Sequence, residues 1–241
     1  MPRSPITKLG SKSKGSCYPI LPCIKTLPDV ATPLKKTIIA SERDAVKREA
    51  YWQEVREVPA SKLKFLDESG CHRSFTRLYG WAKRSERCVE AVPSNRGKNQ
   101  SVIGVCSLSQ MLCWQVQEGS VKADTVSNFV FDSVLSCLEA GDVLILVKRS
   151  FTMDNAAVHS KGLLQALVAT KGARLVFLPP YSPDFSPIEF AWKEMKGHLR
   201  REEYRDYDTL RPGIEQALKK VTAEQMQAFY KHCGYLNGLQ H

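Results

Sequence analysis

Three acidic residues of this chain have the side chains and the sequence positions that metal-dependent phosphoryl transfer requires. Asp67 follows a short apolar run, Asp154 directly precedes a helical pattern, and Glu189 opens a long amphipathic segment. Three carboxylates at one site repel one another unless cations neutralise them. Two Mg²⁺ ions about 4 Å apart do so, and they hold the attacking and leaving oxygens of a phosphate displacement. The pattern predicts Asp67, Asp154 and Glu189 as catalytic and metal-binding residues, with Mg²⁺ as cofactor and Mn²⁺ as its substitute.

Each acid also has a purely structural interpretation. An acid at the end of a strand is usually solvated, as Asp67 would be, and Asp154 can cap the helix that follows it. Glu189 can complete a capping box with Ser186 at the N-cap and Pro187 at the first helical position. The position of all three acids at the carboxyl ends of predicted strands, where ligands of such sheets bind, favours the metal site.

A row of cations accompanies Glu189. The amphipathic segment has an apolar stripe at helical spacing, formed by Ile188, Trp192, Met195 and Leu199. Beside it, Lys193, Lys196 and Arg200 continue from Glu189 at the same spacing. An acid followed by three cations along one helix face suits a DNA backbone, so these cations are predicted to bind DNA. The alternative is a solvated face with a weak Glu189–Lys193 pair.

The elements that must position these residues alternate between strands and helices. A helix capped by Ser41 is predicted to run to about Val58. Short apolar runs predict an antiparallel meander, with strands at 63–67, Arg87–Val92, Ser101–Leu108 and Met111–Glu118. Further along the chain, helices at Thr125–Ala140 (closed by Gly141) and Ser160–Thr170 (closed by Gly172) alternate with strands near Val143 and at Arg174–Leu178. Helices between strands imply parallel crossovers, so the sequence predicts an α/β fold with a mixed sheet flanked by helices.

The bulk composition limits the partners. The 241 residues have a formal net charge of +10, which indicates a polyanionic partner. The eight cysteines include no CxxC pair, which argues against a zinc site. The longest aliphatic run, Val143–Val147, is far shorter than the roughly 20 residues of a membrane helix, so no membrane partner is expected.

Several blocks of the sequence carry a family resemblance. The run LPPYSPDFSPIE, with Trp192 and Lys196 after it, resembles the signature of DDE transposases of the mariner-like superfamily, in particular its bacterial insertion-sequence branch. The blocks FLDESG, YGWAKRSERC, PSNRGKNQSVIG and MDNAAVH agree with that family in order. The resemblance extends from about Leu34 to Tyr235, and the 34 residues between Asp154 and Glu189 fit the family's spacing.

The resemblance implies a ribonuclease-H-like fold and makes Asp67, Asp154 and Glu189 the metal-binding triad. It implies an endonuclease and polynucleotidyl transferase that binds transposon terminal inverted repeats, cleaves DNA strands with water and then joins the 3′-hydroxyl to target DNA. A homodimer is expected from the same resemblance. The expected location is the bacterial cytoplasm, with the nucleoid, or the nucleus of a eukaryotic host. Glu68, on the opposite face of its strand, and Asp184, in a Pro-rich loop, are predicted to lie outside the triad.

The chain departs from the family pattern in two places. Only about 40 residues precede the first helix, without a helix-turn-helix pattern, so an N-terminally truncated core is expected. The stretch Val143–Thr152 is several residues longer than relatives have before Asp154. Either a bulge or loop expels the extra residues, or Asp154 is displaced, and a displacement would impair activity. The expected organisation is a flexible basic leader (1–36), a linker helix (37–60), a catalytic domain (61–205) and a C-terminal helical extension (206–241).

Two other functions compete with a transposase core. The first is a non-catalytic DNA-binding protein derived from such a core, which would use the basic leader and the cationic helix. The second is another ribonuclease-H-like nuclease, such as an RNA hydrolase or a junction resolvase. The PPYSPDFSPIE block argues against the second alternative.

Overall fold

A five-stranded sheet forms the centre of the fold in the computed structural model, which describes residues 40–147 and 155–236, with the backbone alone for 155–160. The strands are β1 (Leu63–Cys71), β2 (Gln100–Cys106), β3 (Met111–Glu118), β4 (Val143–Leu146) and β5 (Arg174–Phe177). The helices are α1 (Ala45–Val55), α2 (Ala123–Asp132), α3 (Asn155–Ala169), α4 (Pro187–Glu202), α5 (Tyr207–Lys219) and α6 (Ala223–His232). None of these helices combines the length and the apolar character that crossing a membrane requires.

The sheet is mixed, with the strand order β3-β2-β1-β4-β5. Strands β1, β2 and β3 form an antiparallel meander, whereas β4 is parallel to both β1 and β5. Parallel neighbours need crossover connections, and helices α2 and α3 lie in the two connections that lead to β4 and β5. The predicted α/β class and the predicted strand arrangement, a meander followed by parallel strands, are confirmed.

Alternate residues of the strands pack against helices on both faces of the sheet. One core contains Leu63, Phe65 and Ile145 from the strands together with the apolar sides of α1, α4, α5 and α6. The other core contains Leu66, Ile103 and Leu144 and is covered by α2 and α3. Because successive side chains of a strand point to opposite faces, each residue of β1 belongs to one of these two layers.

The predicted boundaries of two helices are wrong. Helix α1 is capped by Asp44 rather than Ser41, since the Asp44 carboxylate accepts a hydrogen bond from the Lys47 backbone N–H at 3.0 Å. The segment predicted as one helix to Ala140 is broken: α2 ends at Asp132, and a short 3₁₀ turn (Val134–Cys137) follows. Gly141 has a φ of +82°, but it serves the turn into β4 rather than a helix cap.

The predicted strand at Arg87–Val92 is absent from this described part of the chain. Residues 72–99 instead form one long connection between β1 and β2, without a strand. Val89 has 85% of its surface exposed, so the apolar residues of this segment have no sheet against which to pack. The strand propensity of a segment depends on such packing, and without it residues 87–92 do not form a strand.

Helix α1 is joined to the loop before α4 by an ion-pair cluster. Asp184 accepts hydrogen bonds from Arg43 and Arg48, with closest distances of 2.9 and 2.8 Å, and the Arg48 guanidinium also lies 3.5 Å from the centre of the Phe185 ring. Tyr51 and Trp52 of α1 pack on the same ring. The loop that leads into Glu189 is therefore held by the helix that precedes the sheet.

We expect Asp184→Asn to lower the free energy of unfolding by no more than about 1 kcal/mol, because the carboxylate is half exposed and solvent screens its ion pairs. Urea denaturation measures this change, with Asp132→Asn on the exposed end of α2 as the control. A loss of stability well above this value, or one equal to that of the control, would contradict a solvent-screened ion pair at Asp184.

Candidate active site

Asp67 lies in the middle of β1, at the point where the neighbouring strand ends. The prediction that Asp67 ends its strand is wrong, because β1 continues to Cys71 through its pairing with β2. The parallel pairing with β4 stops one residue earlier, at Leu66 and Leu146, and the Val147 N–H bonds to the Leu66 carbonyl. Asp67 is therefore the first residue of β1 beyond the carboxyl end of β4, and only 1% of its surface is exposed.

Trp192 of α4 holds the Asp67 carboxylate. Its indole Nε1–H donates to Asp67 Oδ2 at 3.0 Å, and both residues are buried. Gly104 of β2 stands opposite Asp67 in the sheet, and a Cβ at this position would lie 3.0 Å from Trp192 Cη2. The glycine thus leaves room for the indole to reach the carboxylate. Trp192 acts as a positioning residue for Asp67.

Glu189 lies one turn before Trp192 on the same helix. Residues three apart on a helix are neighbours on its surface, so Glu189 is placed on the side of α4 that meets Asp67. The capping box that would give Glu189 a structural role does not form, because the Ser186 side chain makes no cap hydrogen bond. The purely structural interpretation of Glu189 loses its main support.

Asp154, the third predicted acid, lies outside the described residues, as do the predicted insertion beyond Val147 and the basic leader. Helix α3 begins directly after it, at Asn155, and β4 ends at Leu146. Within the described ranges, no group of three or more His, Cys, Asp or Glu side chains is close enough to hold a metal ion. The structure therefore brings Asp67 and the first turn of α4 together and leaves the position of Asp154 as a prediction.

The two acids predicted to lie outside the triad have other surroundings. Glu68 faces the opposite layer, in a cavity that it lines with Val121, Lys122 and Val126, and burial raises the pKa of its carboxyl group. Asp184 is held by Arg43 and Arg48. Glu68 therefore lies on the face of the sheet opposite Trp192, and Asp184 is engaged by cations of the α1 region.

Helix α4 has the two stripes that the sequence predicts. Ile188, Trp192, Met195 and Leu199 are all buried, with at most 1% of their surface exposed. Lys193 is exposed, and Lys196 and Arg200 are partly exposed, so a cationic side of the helix faces solvent. Arg200 also packs over Phe75, with 5.1 Å between its guanidinium carbon and the ring centre. The role of these cations in binding DNA stays a prediction.

The sequence that forms this site matches a known protein family. The model of the DDE superfamily endonuclease family matches residues 62–211, a range that contains Asp67, Asp154, Glu189 and the cationic side of α4. The chain belongs to this family. Among curated proteins, none matches the chain by sequence.

Solved structures with the fold of this DDE endonuclease include several of Mos1 transposase. A pre-cleavage Mos1 transpososome has a TM-score of 0.62 at 12% identity, with 84% of this chain and 64% of that chain covered. The Mos1 mariner paired-end complex with Mn has a TM-score of 0.62 at 14% identity, with coverage of 85% and 64%. The corresponding complex with Mg has a TM-score of 0.59 at 11% identity, with coverage of 88% and 68%.

These similarities confirm the predicted ribonuclease-H-like fold for the DDE endonuclease. The chain spans slightly less than two thirds of the length of the first two Mos1 chains.

Sequence reasoning missed the roles of Trp192 and Gly104. It assigned Trp192 to the apolar stripe, which is correct for its ring but ignores the indole N–H, the one donor in that stripe. A tryptophan three residues after a candidate acid was the available signal. Nothing in the sequence indicated that Gly104 faces Asp67, because that contact depends on the register between β1 and β2.

Proposed function

We propose that this DDE endonuclease is the catalytic core of a transposase, which cleaves DNA strands at transposon ends and transfers them to target DNA in a metal-dependent reaction. The hydrogen bond from Trp192 to Asp67 carries the proposal, because it fixes a buried carboxylate beside the first turn of the helix that contains Glu189. The family match and the fold shared with Mos1 transposase support it. Its expected location is with chromosomal DNA.

The donor set suits Mg²⁺ or Mn²⁺. Carboxylate oxygens are the ligands that these hard cations prefer, and a carboxylate buried among apolar side chains, as Asp67 is, is stabilised by a nearby cation. Asp67, Asp154 and Glu189 would hold the metal, and Mos1 transposase has been crystallised with Mg and with Mn. When bound, the metal would supply charge neutralisation at the phosphate and activation of the attacking oxygen.

The protein's own residues would orient the substrate around these acids. Trp192 holds the Asp67 carboxylate in one orientation, and the packed α4 stripe fixes the position of Glu189 relative to the sheet. Lys193, Lys196 and Arg200 lie on the same helix, downstream of Glu189, where they would contact DNA phosphates. Such positioning supplies most of the catalysis in phosphoryl transfer.

We also propose a homodimer that forms through the connection between β1 and β2. Five large apolar residues in this connection are at least 42% exposed: Leu78, Tyr79, Trp81, Val89 and Val92. Trp81 is fully exposed. A concentration of exposed apolar side chains in one segment is typical of an interaction surface, and a second copy of the chain is the partner expected for paired DNA ends.

A plasmid-nicking assay tests the enzymatic function against the non-catalytic alternative. Wild-type protein is incubated with supercoiled plasmid and Mg²⁺ or Mn²⁺, in parallel with the same mixture in EDTA and with Asp154→Ala and Glu189→Ala. We expect nicking by the wild type that depends on the metal and is lost in both variants. DNA binding without metal-dependent nicking in the wild type would leave only a DNA-binding protein derived from a transposase core.

A further inference from the structure

His72 occupies an unusual position at the end of β1. It is the first residue after the strand, and its ring packs on Phe75 with 4.2 Å between the ring centroids. The same Phe75 ring lies under the Arg200 guanidinium of α4. The imidazole and the guanidinium are thus arranged around one aromatic ring. The Nδ1 atom of His72 is buried and has no hydrogen-bond partner among the described residues.

Arg96 belongs to the far end of the β1–β2 connection, and its charge acts on His72. The turn at Asn95–Gly97 is closed by a hydrogen bond from the Gly97 N–H to the Asn95 side chain at 2.8 Å. The Asn95 carbonyl accepts from Arg73 Nε at 3.4 Å, and Gly97, with a φ of +68°, allows close approach to the Tyr207 hydroxyl. These contacts hold the Asn95–Gly97 turn next to Arg73, the residue that follows His72.

Three cations converge on His72 from two elements. Burial lowers the pKa of His72 below its usual value, and the positive charges of Arg96, Arg200 and Lys196 lower it further. Arg96 belongs to the β1–β2 connection, whereas Lys196 and Arg200 belong to α4. All the charges that shift this pKa are therefore positive, and they favour an anion at this position.

We propose that His72 and Arg96, together with Lys196 and Arg200, form a binding site for a DNA backbone phosphate outside the catalytic centre. The inference rests on the proposed function and extends it. Helix α4 runs along β1 in the same direction, since Trp192 contacts Asp67 and Arg200 contacts Phe75. The basic cluster thus lies beyond Asp67 and Glu189 in the direction in which β1 and α4 run.

The distance along α4 fits a DNA strand that passes from the catalytic centre to the basic cluster. Arg200 lies eleven residues after Glu189 on the helix, which corresponds to about 16 Å at 1.5 Å per residue. At 3.4 Å per phosphate along the duplex axis, that distance spans about five nucleotides. Lys193 and Lys196 lie between the two points, so the cluster would hold the strand at a fixed distance from the cleavage position.

A phosphate at this site would draw a proton onto His72. Burial and the surrounding cations lower the pKa of the imidazole, and a bound phosphate would offset the cations and raise this pKa. Binding therefore takes up a proton, and DNA affinity should increase as the pH falls towards the pKa of the bound state. A cluster that bound phosphate through arginine and lysine alone would not have this dependence.

DNA binding by the full chain in EDTA tests the site without catalysis. The dissociation constant of a fluorescent DNA duplex is measured by anisotropy at about pH 7.5 and about pH 5.5. We expect wild-type affinity to rise about threefold more than that of His72→Gln over this interval. Arg96→Gln should weaken binding several-fold and lower the slope of log affinity against log salt by about one. Thermal unfolding checks that both variants are folded.

Lys98→Gln is the matched control, because Lys98 is an exposed cation of the same connection whose charge is paired with Glu118 at 2.6 Å. Its effect on DNA binding should be smaller than that of Arg96→Gln. If folded His72→Gln and Arg96→Gln bind DNA as Lys98→Gln does, the phosphate site is wrong although the proposed function stands. If the wild type itself does not bind DNA, the phosphate site and the proposed function both fail.

Discussion

Asp67→Asn and Glu189→Gln are each expected to reduce metal-dependent DNA cleavage by about a thousandfold or more. Each substitution keeps the size of the side chain but removes the negative charge that would bind the cation, and the metal supplies most of the stabilisation of the developing charge. The rate is measured by single-turnover cleavage of a labelled DNA duplex that contains a transposon end. DNA affinity in EDTA should change little in either variant.

Two controls are matched to these substitutions by position. Glu68→Gln changes the neighbouring acid on the opposite face of β1, and Glu194→Gln changes an exposed acid on the same helix as Glu189. Both should retain cleavage within about tenfold of the wild type. If Asp67→Asn cleaves as fast as Glu68→Gln, the catalytic assignment of Asp67 is wrong, whatever the behaviour of Glu189→Gln.

Trp192→Ala is expected to lower the free energy of unfolding by about 3–5 kcal/mol. The indole is one of the largest fully buried side chains, and its removal leaves a cavity between α4 and the sheet. A loss of this size is a large part of the stability of an ordinary domain, so the variant should unfold at a much lower denaturant concentration than the wild type. Chemical denaturation followed by circular dichroism measures the effect.

Trp192→Phe separates the hydrogen bond from the packing. The phenyl ring retains most of the apolar contact, but the donor to Asp67 Oδ2 is lost, which should cost about 1–3 kcal/mol. Cleavage should fall by at least tenfold as the carboxylate loses its fixed orientation. Phe190→Leu, a change to a partly exposed ring on the same helix, serves as the control. Wild-type cleavage by a folded Trp192→Phe would rule out a positioning role.

The sequence predicted the part of the fold that depends on local periodicity. Strand β3 was placed at its observed bounds, and the buried stripe of α4 was predicted residue by residue, because each follows a regular pattern. Such patterns predict the structure well because the regularly spaced apolar residues form the face that each element buries.

The errors occurred where a long-range contact decides the outcome. Asp67 was predicted to end its strand because an acid follows two apolar residues, yet pairing with β2 extends β1 to Cys71. Arg87–Val92 has residues that suit a strand, but the segment lies away from the sheet and is held instead through Glu90, 3.5 Å from Arg205. Neither partner can be read from the local sequence.

The acids of the candidate site could be predicted from the sequence, but the residues that position them could not. Carboxylates at strand ends and helix starts are visible in the sequence, so Asp67 and Glu189 could be singled out. The indole that orients Asp67, the glycine that admits it, and the histidine beside Arg200 all depend on how α4 lies along β1. That packing is a property of the assembled core.

The contacts of α1 with the loop before α4 bear on how short a folded fragment of this protein can be. The family match begins at residue 62, but Tyr51, Trp52 and Val55 already belong to the buried core, and Tyr51 shares a hydrogen bond with Tyr235 near the other end of the described chain. A fragment that begins at residue 62 would expose the Phe185 ring to water. The loop that precedes Glu189 would then lose its contacts with α1. The smallest independently folding unit therefore has to include α1.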